Sequence, residues 1–208
     1  MIKIKFTAMI LLLFIILCVT ALPAFAWELN GDIITIDTDE SREITEVVID
    51  GNVTIIDNSM QFEGDFARYY PQKEELSMEG NIEVIKDNYM LSGSRLQGNL
   101  ETGEFVVAGE AQVTGSDLLF TSERIEFDNN QEIMTLSGKP EIKYKDLKAT
   151  ADKITYYRQE EKAILAGNVE GKRNGQKFIS DELIVNMVEE QIKLNGKARL
   201  IFSDGGNN

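Results

Sequence analysis

The residues from Leu76 to Val84 read LSMEGNIEV and set a pattern that recurs along the chain. Apolar side chains stand at alternate positions of this stretch, and Gly80 occupies its centre. Alternation with a period of two is typical of a half-buried β-strand, because successive side chains of a strand point to opposite faces. A helix would bring apolar residues back every three or four positions. The stretch therefore predicts a strand of about nine residues.

Gly80 is one of six glycines that follow one another at a constant spacing of 29 residues. These ladder glycines are Gly51, Gly80, Gly109, Gly138, Gly167 and Gly196. Mostly apolar residues lie two and four positions away on both sides of each glycine. A period held this strictly indicates one supersecondary unit copied along the chain. We expect the missing side chain to let the fold narrow at the centre of each glycine-bearing strand.

A second strand follows in each copy, and the face that carries its apolar side chains changes part-way along the strand. In the first copy Phe62 and the small residue Gly64 share one face, and the alternation then shifts by one residue to Ala67. Such a shift predicts a β-bulge or a sharp bend at the small residue. An acid follows the small residue in most copies, at Asp65, Glu123, Asp152 and Asp181. We expect these carboxylates to accept backbone N–H groups that the bend leaves unpaired, not to bind a metal.

Turn residues such as Asp87-Asn88 and Asp128-Asn129 separate the strands. Two strands and two tight turns per copy predict about twelve or more consecutive antiparallel strands. A lone hairpin is marginal in water, so the copies must stack and share one core. The predicted class is all-β, with about six 29-residue two-strand repeats in one domain over residues 27–208. Pro140 stands in a strand centre and cannot donate a hydrogen bond, which predicts a break in pairing or an unpaired flank there.

The N-terminal segment has a different character. Two lysines precede an apolar run from Phe6 to Val19, and Ala24-Phe25-Ala26 offers small residues for a signal peptidase. We predict a signal peptide over residues 1–26 that is cleaved after Ala26. The alternative is an uncleaved inner-membrane anchor, because residues 6–26 are long enough to span a bilayer. Either interpretation places the domain outside the cytoplasm.

The amino-acid composition excludes several classes of function. The net charge of −14 argues against nucleic acid, which requires a positive surface. The chain contains no histidine, and it shows no Gly-x-Ser-x-Gly elbow, Walker loop or paired CxxC motif. We therefore expect no enzymatic activity, no cofactor and no metal site. The acidic balance also argues against contacts with phosphate groups of a ligand.

Several steps of the repeat resemble the OstA-like family. They are Gly51-Asn52-Val53, Gly80-Asn81-Ile82 and Gly167-Asn168-Val169, with the strands from Gly64 to Tyr69 and from Ala151 to Tyr156. The family includes the periplasmic lipopolysaccharide-transport protein LptA, its membrane-anchored relative LptC and the N-terminal domain of LptD. The resemblance extends from about Ile33 to Phe202.

The resemblance implies a twisted antiparallel β-jellyroll that is open along one side. It also implies periplasmic binding and transport of lipopolysaccharide, with head-to-tail assembly between the inner and outer membranes. The implied partners are lipopolysaccharide or a related glycolipid, LptC-like and LptD-like proteins, and further copies of the chain. Two alternatives stay open: a membrane-anchored LptC-like component, and a structural β-repeat protein that forms filaments without a ligand.

The large inward residues of the N-terminal half are the candidate lipid contacts, since burying one lipid methylene gains about 0.8 kcal/mol. They are Ile34, Ile36, Val53, Ile55, Phe62, Met78, Ile82, Val84, Leu91 and Phe120. Uncovered terminal strands invite pairing with another subunit. The candidate assembly edges are Ile33, Thr35, Ala198, Leu200 and Phe202.

Overall fold

The computed structural model of the protein describes residues 28–57 and 60–202, and within these ranges every helix or strand element is a β-strand. No helix of the described ranges is long and apolar enough to cross a membrane. The predicted signal segment, residues 1–26, lies outside them. The sixteen strands are β1 (Glu28–Asn30), β2 (Ile33–Thr38), β3 (Ile44–Asp57), β4 (Met60–Tyr70), β5 (Glu75–Lys86), β6 (Tyr89–Asn99), β7 (Glu104–Thr114), β8 (Leu118–Asp128), β9 (Ile133–Ser137), β10 (Glu141–Tyr144), β11 (Leu147–Thr150), β12 (Lys153–Tyr157), β13 (Lys162–Arg173), β14 (Gln176–Asn186), β15 (Gln191–Asn195) and β16 (Arg199–Ile201).

The strands form two layers that share one apolar interior. Layer 1 contains the short strands β2, β9, β12 and β15. It also contains the half of each long strand that lies on the same side of the bend, such as the first half of β3 and the second halves of β8 and β14. Layer 2 contains β1, β10, β11 and β16 with the remaining halves. The long strands β3 to β8, β13 and β14 pass from one layer to the other at a bend in their middle. The predicted all-β class and antiparallel repeat are confirmed.

Each bend is a β-bulge at a ladder glycine. In the pairing of β3 with β4, Asp50 lies opposite Phe66 and Val53 lies opposite Gly64, so the strand with the glycine holds one residue more. Pairing of β13 with β14 shows the same shift. The predicted bend at the small residue is therefore correct. The surplus residue, however, belongs to the glycine-bearing strand and not to the strand whose alternation shifts.

The ladder glycines make room for a side chain of the neighbouring strand. All six have φ between 74° and 82°, in the left-handed region where a side chain is disfavoured. A Cβ built on Gly80 would lie 2.2 Å from Asp65 Oδ2, and a Cβ built on Gly51 would lie 2.4 Å from Asp32 Oδ2. The glycine thus adopts the left-handed backbone conformation of the bulge and leaves space for the adjoining acidic side chain. It does not bring the two layers together, so the expectation that it narrows the fold is wrong.

The acids beside the bends accept hydrogen bonds from the bulges. Asp181 Oδ2 accepts the backbone N–H of Lys197 at 2.9 Å, as predicted. In other copies the donor is a side chain, and Asn81 Nδ2 donates to Asp65 Oδ2 at 2.9 Å. Asn168 donates to Asp152 over the same distance. Among the described residues no three histidine, cysteine or acidic side chains form a group that could hold a metal ion.

Pro140 lies between β9 and β10, where one long strand is broken in two. Both pieces are paired on either side, β9 with β8 and β12, and β10 with β8 and β11. The prediction of a break in pairing is confirmed. The alternative prediction of an unpaired flank is wrong, because both pieces have a paired neighbour on each side.

Candidate functional site

Most of the predicted lipid contacts lie in the interior between the two layers. Eight of the ten side chains are at most 4 % exposed, and they belong to one continuous hydrophobic core. These are Val53, Ile55, Phe62, Met78, Ile82, Val84, Leu91 and Phe120. Ile34 and Ile36 are different, with 43 % and 54 % of their surface exposed. They lie on β2, the last strand of layer 1, which has a neighbour on one side only, and Ile36 faces the interior opposite Val47.

Aromatic rings from the two layers meet inside the core. The ring centroid of Phe62 in layer 2 lies 5.3 Å from that of Phe105 in layer 1. The ring centroids of Phe120 in layer 2 and Tyr156 in layer 1 lie 5.2 Å apart. The hydroxyls of Tyr89 and Tyr156 share a hydrogen bond of 2.9 Å, and burial raises the pKa of Tyr156. The interior is therefore mainly apolar, and its polar groups, the tyrosine pair with Ser122 and Ser180, are uncharged, which suits hydrocarbon chains.

Side chains, not backbone pairing, join the two layers on the side opposite the bends. Lys86 of layer 2 donates to Asn129 Oδ1 at 2.6 Å and lies 3.4 Å from Glu132 Oε1. Arg158 of layer 1 pairs with Asp87 of layer 2 and lies 3.7 Å from Glu132 Oε1. We call these five residues the clasp. Its bonds between the layers join residues 43 to 71 positions apart in sequence, so no local pattern could have revealed it.

A second set of contacts bridges the layers nearer the C-terminus. Lys145 Nζ lies 2.6 Å from Glu190 Oε1, and Arg173 donates to the Glu190 carbonyl at 3.3 Å. The Tyr144 hydroxyl donates to the Met187 carbonyl at 3.2 Å. Like the clasp, these bridges are hydrogen bonds and ion pairs near the surface. Lys145 and Glu190 are solvent-exposed, and an exposed pair contributes only about 0–1 kcal/mol. The clasp is better shielded, because the side chains of Lys86 and Arg158 are only 20 % and 16 % exposed.

A small cavity lies directly beneath the clasp. Its volume is about 40 Å³, and Lys86, Tyr89 and Arg158 lie at its polar side. The apolar lining comes from Met60, Val84, Leu91, Val113, Phe127 and Met134. The space is too small for an acyl chain. A lipid between the layers would therefore require them to move apart.

The turns at the N-terminal end bring acids together instead of opposite charges. Burial and the charge on Glu74 raise the pKa of Asp57, which ends β3 in layer 2. Glu74 follows β4 in layer 1 and accepts the Tyr69 hydroxyl at 2.6 Å.

The apolar interior reaches the surface at both ends of the strand order. At one end lie Ile34 and Ile36. At the other, Leu200 is 45 % exposed and Phe202 is 66 % exposed. The remaining edge candidates, Ile33, Thr35 and Ala198, are also exposed. All five predicted edge residues thus lie on or beside terminal strands that pair on one side only.

A larger groove of about 870 Å³ lies along layer 1. Its lining includes the acids Glu75, Glu104, Glu126 and Asp128 and the single base Arg124. This charged surface does not suit acyl chains, so the interior is the better candidate for lipid.

A family model described as "LptA/(LptD N-terminal domain) LPS transport protein" matches residues 26–104 and 107–191. The chain belongs to this family. The matched residues include the glycine ladder up to Gly167 and the interior residues of both layers, so the predicted family is confirmed. No significant relative appears among the curated proteins.

Solved structures support the same fold. Eighteen chains match, among them LptH from Pseudomonas aeruginosa, described as the LptA-homologous periplasmic component of the lipopolysaccharide transport device. The TM-score is 0.52 at 14 % sequence identity, over 55 % of this chain and 94 % of LptH. At this identity the similarity shows the fold alone, and it confirms the open β-jellyroll.

Proposed function

We propose that this member of the lipopolysaccharide-transport family carries lipopolysaccharide or a related glycolipid through the periplasm, with the acyl chains between the two layers. The observation that carries the proposal is an apolar core between Val47 and Met187, with the exposed Ile36 and Leu200 at its two ends. Side-chain contacts alone join the two layers on the side opposite the bends. Each buried methylene gains about 0.8 kcal/mol, so a few acyl chains supply ample affinity without a catalytic group.

Lipid entry requires the layers to separate on the side of the clasp. The bends on the opposite side are continuous backbone, so they act as the hinge line. Opening exchanges the contacts among Phe62, Phe105 and other interior side chains for contacts with acyl chains. The loss and gain of apolar burial largely offset each other, since both surfaces are hydrocarbon. The ion pairs of the clasp are then the main contacts to be broken.

We further propose head-to-tail assembly of copies, with LptC-like and LptD-like proteins at the two ends of the bridge. The edges have complementary charge: residues 28–50 contain eight acids and one base, whereas residues 191–202 contain three bases and no acid. Joining β2 and β1 of one copy to β15 and β16 of the next would also cover the exposed apolar residues. Such a contact is heterologous, so it grows into an open chain.

Two residues of β2 provide a matched test of the lipid site. Ile36 faces the interior, whereas Ile33 lies opposite the exposed Asp50, and both are more than half exposed, so a charge at either should leave the fold intact. We expect Ile36→Glu to lose most photo-crosslinking to lipopolysaccharide and Ile33→Glu to retain it. Ile55→Glu is unsuitable, because Ile55 is fully buried and a charge there would unfold the domain.

Mass spectrometry of lipids retained by the purified protein completes this test. Retained acyl lipid in the parent and its loss in Ile36→Glu support carriage between the layers. Equal retention by both variants and the parent would place the lipid elsewhere, and absence of lipid from the parent would favour a purely structural filament. N-terminal sequencing of the exported protein separates a cleaved periplasmic form, which starts at Trp27, from an anchored LptC-like form.

A further inference from the structure

Four lysines lie side by side on the outer face of layer 2. The strand register places Lys143 opposite Lys148, Lys148 opposite Lys172, and Lys172 opposite Lys177. Adjacent strands are about 4.8 Å apart, so the four ammonium groups share a strip about 15 Å long. We call this set the lysine row. It is unexpected in a chain whose net charge is −14.

Only half of the lysine row is paired with an acid. Glu141 pairs with two members, at 3.3 Å from Lys143 Nζ and 2.9 Å from Lys148 Nζ. Lys172 and Lys177 are exposed and form no ion pair with any described residue. Like charges directly opposite each other in a sheet are destabilising. Half of the row therefore carries uncompensated positive charge that the fold itself does not use.

The row runs along the rim of the open side. Tyr144 and Leu147 are the last pair before one turn, and Arg173 and Gln176 are the last pair before the next, so each lysine stands one residue from a turn. The same strands send Ile142 and Phe178 into the interior. A lipid whose acyl chains lie against these strands would leave its headgroup at this rim.

We propose that the lysine row binds phosphate groups on the headgroup of the carried glycolipid. The proposal rests on the proposed function, because it needs the acyl chains between the layers. A phosphate offers several acceptor oxygens and up to two negative charges, and its hydrogen bonds to ammonium groups are charge-assisted. Bound phosphate would also relieve the repulsion between neighbouring lysines. The acidic net charge of the whole chain thus gave the wrong expectation for this part of the surface.

The test compares a row variant with a variant of equal charge. Lys172→Gln/Lys177→Gln removes the unpaired half of the row, and Lys139→Gln/Lys153→Gln removes two exposed lysines from the bend side of layer 1. The probes are a purified lipid A with its phosphates, the same lipid after dephosphorylation, and inorganic phosphate. We expect the parent and the control variant to bind the phosphorylated lipid about tenfold more tightly than the dephosphorylated one. The row variant should bind both lipids with equal affinity.

The possible outcomes separate this site from the proposed function. If the parent binds neither lipid, carriage of acyl chains is refuted and the row loses its ligand. If the parent and the row variant show the same preference for the phosphorylated lipid, the lysine row is not the headgroup site, although carriage stands. If millimolar phosphate competes with the phosphorylated lipid in the parent and does not do so in the row variant, phosphate recognition by the lysine row is supported. Binding of free phosphate at the row without any preference between the lipids would overturn its assignment to the headgroup.

Discussion

The carboxylate of Asp65 occupies the space into which a side chain at Gly80 would project. We therefore expect Gly80→Ala to lower the free energy of unfolding by about 3 kcal/mol or more, since steric overlap adds to the left-handed backbone penalty. Gly175 is the matched control, because its φ is 78° and nothing lies within 4 Å of its Cβ position. Gly175→Ala should cost about 1 kcal/mol. Urea unfolding measures both, and equal costs would show that the carboxylate moves freely aside.

The hydrogen bond between Tyr89 and Tyr156 should respond asymmetrically to the loss of either hydroxyl. Tyr156 is fully buried, so Tyr89→Phe leaves its hydroxyl unpaired and should cost about 1–3 kcal/mol. Tyr89 is only half-buried, so its hydroxyl can turn to water in Tyr156→Phe, which should cost about 1 kcal/mol or less. Thermal or urea unfolding of both variants tests this order. The reverse order would mean that water already reaches Tyr156.

At the scale of residues, the alternation of the sequence correctly placed the interior side chains. Ile55 and Phe62 face inward because the period of two is preserved on each side of the bulge. The exposed fraction of an inward side chain was not predictable from the alternation. Ile36 follows the same pattern as Ile55 yet is half exposed, because its strand is paired on one side only. The clasp was invisible for a related reason, since Lys86 and Glu132 come together only through the closure of the two layers.

At the scale of elements, Glu141 should determine how the hairpin of β10 and β11 responds to pH. Burial acts to raise its pKa, but the hydrogen bonds from Lys148 and Lys143 hold the pKa of Glu141 below its ordinary value. A depressed pKa means that the stabilisation is complete above the unfolded-state pKa and is lost as the pH falls through the folded-state value. We expect Glu141→Gln to lower the free energy of unfolding by about 0.5–1 kcal/mol at pH 7.

Urea unfolding at two pH values checks this expectation. The difference between Glu141→Gln and the parent should close as the pH falls below the depressed folded-state pKa of Glu141, where the carboxyl group is neutral in both states. Glu170→Gln is the control, because Glu170 lies on the outer face of β13 without an ion pair among the described residues. Its effect should be small at both pH values. A difference for Glu141→Gln that persists at low pH would have to come from packing.

The elements themselves were largely predictable, but their register was not. The 29-residue period and the turn residues led to the correct class and to antiparallel neighbours. The alternation predicts the surplus residue of each bulge on the wrong strand, because the number of residues between inward positions can be compared only when both paired strands are known. The lysine row was not predictable for the same reason, because it depends on the register of paired strands. Lys148 and Lys172 are far apart in sequence, and only the pairing of β11 with β13 makes them neighbours.

At the scale of the molecule, the two ends of the strand order differ in charge as well as in position. The edge strands β1 and β2 carry Glu28 and Asp37, whereas β15 and β16 carry Lys193 and Arg199. Opposite charges steer association and set the orientation of an interface. The proposed head-to-tail contact would therefore match β2 with β15 in layer 1 and β1 with β16 in layer 2. It would also continue the apolar interior from one copy into the next.

Charge reversal at one edge should stop this assembly, and reversal at both edges in separate chains should restore it. We expect Lys193→Glu/Arg199→Glu to be monomeric, because both of its edges are acidic, and Glu28→Lys/Asp37→Lys to be monomeric, because its first edge loses the acids that attract the basic one. An equimolar mixture should form heterodimers through the unaltered acidic edge of the first variant and the unaltered basic edge of the second, and contact between the two reversed edges would extend these into longer chains. Light scattering measures the size, and added salt should reduce it by screening the edge charges. Assembly of either variant alone at the level of the parent would show that edge charge does not direct the contact, whereas two monomeric variants that fail to combine would rule out pairing between these edges.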